Sequence, residues 1–251
     1  MTRHTVVAHD EWVEARKALL AKEKEFTRLR DELSQRRRDL PWETVEQDYV
    51  FEGPDGKESL SELFDGRRQL IVYHFMFGPD WEEGCKSCSF LADHYDPAIV
   101  HLNQRDVSLV TVSRAPLETL LAFQKRMGWR FKWVSSLGSD FNWDYQASFK
   151  PEDVEGQQVY YNYRVGAFPM GEGPGISVFY KDDAGGIFHT YSAYARGLDI
   201  FLGTYNLLDI VPRGRDEADL PYTMEWIRHH DRYDDGAVVD PYVESFGKKQ
   251  A

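Results

Sequence analysis

The chain has 251 residues, 42% hydrophobic and 14% aromatic, which is enough apolar surface to form a core without disulfide or metal staples and excludes global disorder. Thirty basic against forty-two acidic side chains leave a formal charge of −12, which repels phosphate backbones and anionic lipid, so neither nucleic acid nor membrane is expected as a partner. No run approaches the roughly eighteen apolar residues of a membrane span and the N-terminus lacks a signal-peptide core, so a cytoplasmic protein is expected.

From Asp10 to about Ser34, residues Trp12, Ala15, Leu19, Phe26, Leu29 and Leu33 recur at three- and four-residue spacings between charges, which predicts an amphipathic helix. Its stripe is expected to pack on its own domain, with a homodimer arm as the alternative. "DLPWE" at 39–43 stops it, because Pro41 forces its predecessor out of the helical region. Residues 1–44 therefore read as a helical extension, 45–217 as the main domain and 218–251 as a charged tail packed on that domain.

"YVFEGPDGKESLSELFDGRRQLIVYHFMF" (49–77) reads as strand, turn, a short helix capped by Ser59, and a strand buried on both faces. "SFLADHYDPAIVHLNQ" has helical spacing interrupted at Pro97, "VSLVTVS" (107–113) is a second buried strand, and "PLETLLAFQKRMG" (116–128) is a helix with Pro near its start and Gly at its end. Strand, helix, strand, helix implies a parallel sheet with right-handed crossovers. Residues from about 129 to 170 are aromatic without clear period and read as an insertion on the sheet. "PGISVFYKDDAGGIFHTYSAY" (174–194) reads as two antiparallel strands, "GLDIFLGTYNLLDIV" (197–211) as a closing helix, and "RHHDRY" (228–233) as a solvated helix end.

Both cysteines fall in "WEEGCKSC" (81–88), between the first buried strand and the next helix. The thiolate is the nucleophile in thiol exchange, and a helix N-terminus stabilises it, so C-x-x-C places Cys85 at exposed amides with Cys88 one turn on. Lys86 favours a thiolate on Cys85, whereas Asp80, Glu82 and Glu83 oppose it. In a reducing cytosol such a pair signifies reversible redox chemistry or a metal. A closed zinc site needs four ligands, and only His74, His94, His101 or His189 could join the two thiolates, none at a paired spacing. Two inert buried thiols are the third reading, and no metal is expected.

This layout resembles the thioredoxin-like superfamily, which implies a three-layer α/β/α sandwich with a mixed central sheet, here with an N-terminal helical extension and an aromatic-rich insertion. "FEGPDGKESLSELFDGRRQLIVYHFMF" is similar to the entry of peroxiredoxins and of membrane-tethered thioredoxin relatives. "PGISVFY" resembles the element in which a cis-proline introduces the third central strand, and Pro174 takes that place. The resemblance is closer still to the bacterial domain of unknown function 899 family, described as predicted dithiol-disulfide oxidoreductases. It is carried by "YHFMFGPDWEEGCKSCSFLADH", "SRAPLETLLAFQKRMGWRFKWVSSLGSDFNWDY", "HTYSAYARGLD" and "GTYNLLDIVPRGRDE". It implies Cys85 as nucleophile and Cys88 as resolving thiol, with Pro174 shaping the docking groove; Trp81 and Tyr73 wall that site or pack in the core, and Lys86, Arg114 and His189 are auxiliary candidates by their chemistry. No cofactor beyond the cysteine pair is implied. The partners are a disulfide-containing protein or small thiol and an unidentified electron donor.

Two departures stand out. Thioredoxins carry Trp immediately before the first cysteine, whereas Trp81 lies four residues ahead, and the segment after residue 129 has no thioredoxin counterpart. A thiol peroxidase is the alternative enzyme; Arg114 would polarise the peroxide, but Glu82 three residues before Cys85 would repel the developing anion. A binding protein without turnover is the third option, with Trp129, Trp133, Trp143 and Tyr145 lining a pocket or forming a second core. His229, His230 and Asp231 are further proton-carrier candidates.

Overall fold

The computed structural model describes residues 4–233. The chain divides into two compact units, residues 1–42 and 43–251. The first contains α1 (His9–Arg38), which buries none of its residues. Within this unit Trp12, Phe26 and Leu29 are all more than half exposed. Lys22 breaks the apolar stripe, and the helix carries ion pairs at helical spacing, Lys17–Glu14, Lys22–Glu25 and Arg36–Glu32, each contributing a few tenths of a kcal/mol.

The second unit runs β1 (Glu43–Thr44), β2 (Val50–Gly53), β3 (Gly56–Ser59), β4 (Gln69–His74), α2 (Lys86–Ala92), α3 (Tyr95–Asn103), β5 (Val107–Ser113), α4 (Leu117–Arg126), β6 (Lys132–Ser135), α5 (Phe141–Asp144), α6 (Pro151–Glu155), β7 (Val159–Tyr161), β8 (Arg164–Gly166), β9 (Gly175–Lys181), β10 (Ile187–Tyr194) and α7 (Gly203–Leu208). Its main sheet has the order β1-β10-β9-β4-β5-β6-β2-β3. β4 is parallel to β5 and β5 to β6, whereas β9 is antiparallel to β4 and β10 to β9. A β4–α2–β5 crossover beside a β9–β10–α7 unit, in the order β5-β4-β9-β10, is the thioredoxin-like arrangement that the sequence implied.

Side-chain alternation along β4 explains why this strand sits at the centre. Leu70 and Val72 enter a core with Phe51, Phe64, Phe141 and Phe179 on one face. Tyr73 and the following Phe75 enter the other, with Leu91, Leu120, Phe123 and Trp133. The second face is the one that α2 covers, and it carries the cysteines.

Four sequence expectations are corrected. The break in "SFLADHYDPAIVHLNQ" falls between Ala92 and Tyr95, and Pro97 sits in the first turn of α3, where a missing N–H costs nothing. The aromatic segment from 129 is no pure insertion, because β6 joins the sheet beside β5 with Val112 opposite Val134. A four-residue strand is too short to show a period. The closing helix is split: a 3₁₀ stretch over Ala195–Phe201 precedes α7, and the break lies against His94. A Cβ at Gly203 would stand 2.8 Å from that ring, whose Nε2 also meets the Thr204 N–H at 3.1 Å. Finally, Pro174 is not cis, since no cis peptide occurs among the described residues. Its carbonyl accepts the Tyr161 hydroxyl at 2.7 Å as the chain enters β9.

Candidate functional site

After β4, residues Phe75, Met76 and Phe77 continue as buried extended chain, and the loop to α2 returns across them. Cys85 N–H donates to the Met76 carbonyl at 3.1 Å, and the Cys85 carbonyl accepts Ser89 N–H at 2.9 Å, so Cys85 stands as the N-cap of α2. Gly84 is required just before it, because a Cβ there would lie 2.7 Å from the Phe75 ring. The two cysteines approach to 3.9 Å.

Their environments differ although they are three residues apart. Cys85 is half-buried, and its thiol is lowered to about 7 by a hydrogen bond from Cys88, against the opposing effect of burial, with further help from the N–H groups of Cys88 and Ser87 and from the Lys86 charge. Cys88 is 2% exposed, and burial, then the neighbouring Cys85, pushes its thiol well up. Tyr73 donates to the Cys88 sulfur, and the Met76 N–H stands 3.5 Å from it. The arrangement thus favours the anion on Cys85 over the anion on Cys88.

Both sulfurs line a cavity of about 630 Å³, together with Tyr73, Pro174, Leu91 and Met76. Cys85, Cys88, Tyr73 and Pro174 are therefore gathered as the sequence implied. Trp81 is not in the cavity wall; its ring lies over Gly78, with Nε1 2.8 Å from where a Cβ of that residue would stand, and it packs at the edge of the core. Lys86 Nζ donates to the Glu225 carbonyl at 3.0 Å. Arg114 does not line the cavity: it pairs with Glu172 at 3.0 Å and lies 4.0 Å from the Trp143 ring centroid. Glu172 is 4% exposed and Arg114 half-buried, so the pair is partly buried rather than at the open surface. His189 belongs to the opposite side of β10, bonded to Ser192 Oγ at 2.7 Å. Trp129 and Trp133 are core residues at 8% and 0% exposure, and Tyr145 stacks beside His74 and Phe141, so these aromatics form core rather than pocket.

The segment "RHHDRY" is the largest surprise beside the cysteines. It is no solvated helix end: His229 is 7% exposed and docks on the loop before Cys85, where its Nε2–H donates to the Gly84 carbonyl at 2.9 Å and its Nδ1 accepts from Arg126 at 3.1 Å. Burial holds its pKa down, in keeping with that neutral tautomer. Arg126 also grips both oxygens of Asp231, at 2.8 and 3.0 Å, and pairs with Glu83, which Arg232 contacts in turn. Glu83, expected to oppose the Cys85 thiolate, is thus neutralised by two arginines. His230 is raised by its 2.7 Å contact with Asp93. No sequence periodicity signalled this docking; the only hint was the alternation of cations and acids in a short run.

Further residues join the cavity that sequence reasoning did not select: Asp199, Arg215, Glu217 and Met224. Arg215 grips both oxygens of Asp209 at 2.8 Å and lies 4.0 Å from the Tyr205 ring centroid. Glu217 accepts from Tyr205, from Met224 N–H at 2.9 Å and from Trp226 Nε1 at 2.7 Å. Among the described residues no group of three or more His, Cys, Asp or Glu side chains could hold a metal, and no helix is long and apolar enough to cross a membrane.

No curated protein matches the sequence. Solved structures that align with the chain include peroxidoxin BcpB from Mycobacterium tuberculosis, at 13% identity over 66% of this chain and 95% of that one with TM-score 0.44. Peroxiredoxin Q from Xanthomonas campestris aligns at 14% identity over 66% and 96%, TM-score 0.44. A candidate thiol:disulfide interchange protein DsbE from Chlorobium tepidum aligns at 12% over 65% and 99%, TM-score 0.38. A family model described as a bacterial protein of unknown function, DUF899, matches residues 1–233, and with nearly the whole length covered the chain belongs to that family.

Proposed function

We propose that this protein is a dithiol-disulfide oxidoreductase in which Cys85 is the nucleophile and Cys88 the resolving thiol. The observation that carries the reading is the asymmetric pair: a half-buried sulfur lowered to about 7 and facing a cavity, with a buried, proton-bearing sulfur beside it. A thiol with pKa near ambient pH combines a useful thiolate fraction with retained nucleophilicity. Cys85 attacks a substrate disulfide, and Cys88 then attacks the mixed disulfide from below. The electrons reside in the sulfur pair, so no other cofactor is invoked, and a second thiol-bearing partner returns the pair to the reduced state. The reading places this cycle in a reducing compartment, the cytosol, where the dithiol form persists. Peroxidase chemistry is disfavoured because Arg114 is paired with Glu172 and does not line the cavity that holds the cysteines.

The test is trapping. Incubated with a disulfide, a Cys88→Ser variant is expected to accumulate a mixed disulfide on Cys85 visible by mass spectrometry, while Cys85→Ser forms none. Rapid consumption of hydrogen peroxide by the wild type, with no exchange toward disulfides, would move the assignment to a peroxidase.

A further inference from the structure

The loop and helix that present Cys85 are covered from the C-terminal side. Ile227 is fully buried, His229 bonds Gly84, Lys86 bonds Glu225, and Arg126 and Arg232 tie Asp231 and Glu83 together. Residues 217–232 therefore form a strap across the loop that precedes Cys85 and the start of α2. Between strap and α2 lies the 630 Å³ cavity, a volume within the range of small-molecule sites. Its wall is apolar near the sulfurs, through Met76, Leu91, Leu198, Leu202 and Met224. Its charged groups are already committed. Arg215 is bound to Asp209 and Asp199, Arg196 to Asp199, and Glu217 Oε1 to three neutral donors, so both arginines of the wall are paired and its surplus charge is the Glu217 carboxylate, which opposes an anionic ligand.

Resting on the oxidoreductase reading above, we infer that the strap restricts the dithiol to low-molecular-weight disulfides with apolar, uncharged substituents. In the reaction the Cys85 thiolate attacks one sulfur of R–S–S–R. The substrate S–S bond breaks, one RS⁻ leaves and a Cys85–S–R bond forms. Cys88 releases its proton and attacks Cys85, expelling the second RS⁻. The protein ends as the Cys85–Cys88 disulfide, and the substrate has taken two electrons from the sulfur pair, one proton from Cys88 and one from solvent to become two RSH. Apolar R groups fill the space beneath Met224 and Leu202, gaining burial that a zwitterionic substituent could obtain only by desolvating its charges.

The experiment is single-turnover oxidation of the reduced full-length protein, quenched in acid and read by mass, with 2,2′-dithiodipyridine, oxidised glutathione and insulin as oxidants. Each rate is divided by that of free dithiothreitol with the same reagent. After this normalisation the uncharged aromatic disulfide is expected to exceed both others by about 10- to 100-fold. An Arg126→Ala/Arg232→Ala double variant, and separately the shape-conserving Asp231→Asn, are expected to raise the insulin rate about tenfold with little change for dithiodipyridine, circular dichroism confirming that each is folded. Insulin reacting with the wild type as fast as the small reagent, or an unchanged ratio in the folded variants, overturns the strap as a filter. Oxidised glutathione matching dithiodipyridine overturns the apolar preference alone. A dithiol inert to all three oxidants overturns the oxidoreductase reading itself, and the substrate class with it.

Discussion

Tyr73 and His74 are neighbours on β4, yet pleating sends them to opposite faces of the sheet and into opposite kinds of polar site. Tyr73 donates to a sulfur that can change its bonding partner, beside a cavity. His74 ends a closed chain in which its Nε2 meets Ser177 Oγ at 2.9 Å, Ser177 meets Ser192 at 2.9 Å, and Ser192 meets His189 at 2.7 Å. Phe141 and Tyr145 stack over the imidazole, and none of that chain lines the sulfur cavity. Burial holds His74 neutral, with its pKa lowered to about 3. Both faces bury polar groups, but only the cysteine face combines a favoured thiolate with room for a reactant. Perturbed titration alone would have nominated either side; the cavity decides between them.

The largest expected effect comes from opening the histidine face. Phe141 is fully buried against Tyr49, Phe51, His74 and Tyr145, so Phe141→Ala should cost about 4 kcal/mol in chemical denaturation. The pH profile of Cys85 alkylation should be unmoved, and a shift in it would show that the two faces are coupled.

The acid response sharpens the same contrast. His74 has its folded pKa depressed from 6.5 to about 3, so the unfolded chain takes up a proton that the folded one refuses. Its contribution to stability is therefore complete above pH 6.5 and is lost as pH falls toward 3, by about 1.4 kcal/mol per pH unit. A His74→Leu variant should lack that slope when unfolding is measured between pH 6 and 4.

On the cysteine face, Cys88→Ala removes the hydrogen bond that stabilises the Cys85 thiolate most. The Cys85 pKa should rise, and iodoacetamide alkylation at pH 7 should slow by up to about tenfold as the thiolate fraction falls toward that of a free cysteine. The smallest effect is expected from Tyr73→Phe, worth about 1 kcal/mol or less in stability. Its signature is kinetic: without the tyrosine proton, the Cys88 thiolate is harder to form, and a mixed disulfide on Cys85 should persist several-fold longer in quenched-flow mass spectrometry.

The fold was legible where burial is periodic. "QLIVYHFMF" and "VSLVTVS" announce buried strands because apolar, mostly β-branched or aromatic, residues dominate runs of strand length. β6 was not, since Lys132–Ser135 is too short and its burial is decided by β5, a partner outside the window. The sulfur pair was legible because C-x-x-C before a helix fixes local geometry, and Pro174 through the resemblance of "PGISVFY". The strap was invisible, because His229 and Asp231 owe their positions to Gly84 and Arg126, which lie more than a hundred residues away. Arg114 misled for the same reason: its partner Glu172 and the Trp143 ring meet it only through tertiary packing.

The central claim is that Cys85 and Cys88 form a reversible two-electron couple. Equilibrating the protein in graded glutathione or dithiothreitol buffers and counting free thiols by mass tests it directly. The account predicts one two-electron transition between the two cysteines, with a midpoint somewhere in the range of about −120 to −300 mV that spans known thioredoxin-fold couples. A pair that stays fully reduced in excess oxidised glutathione, or that forms only intermolecular bonds, would contradict it.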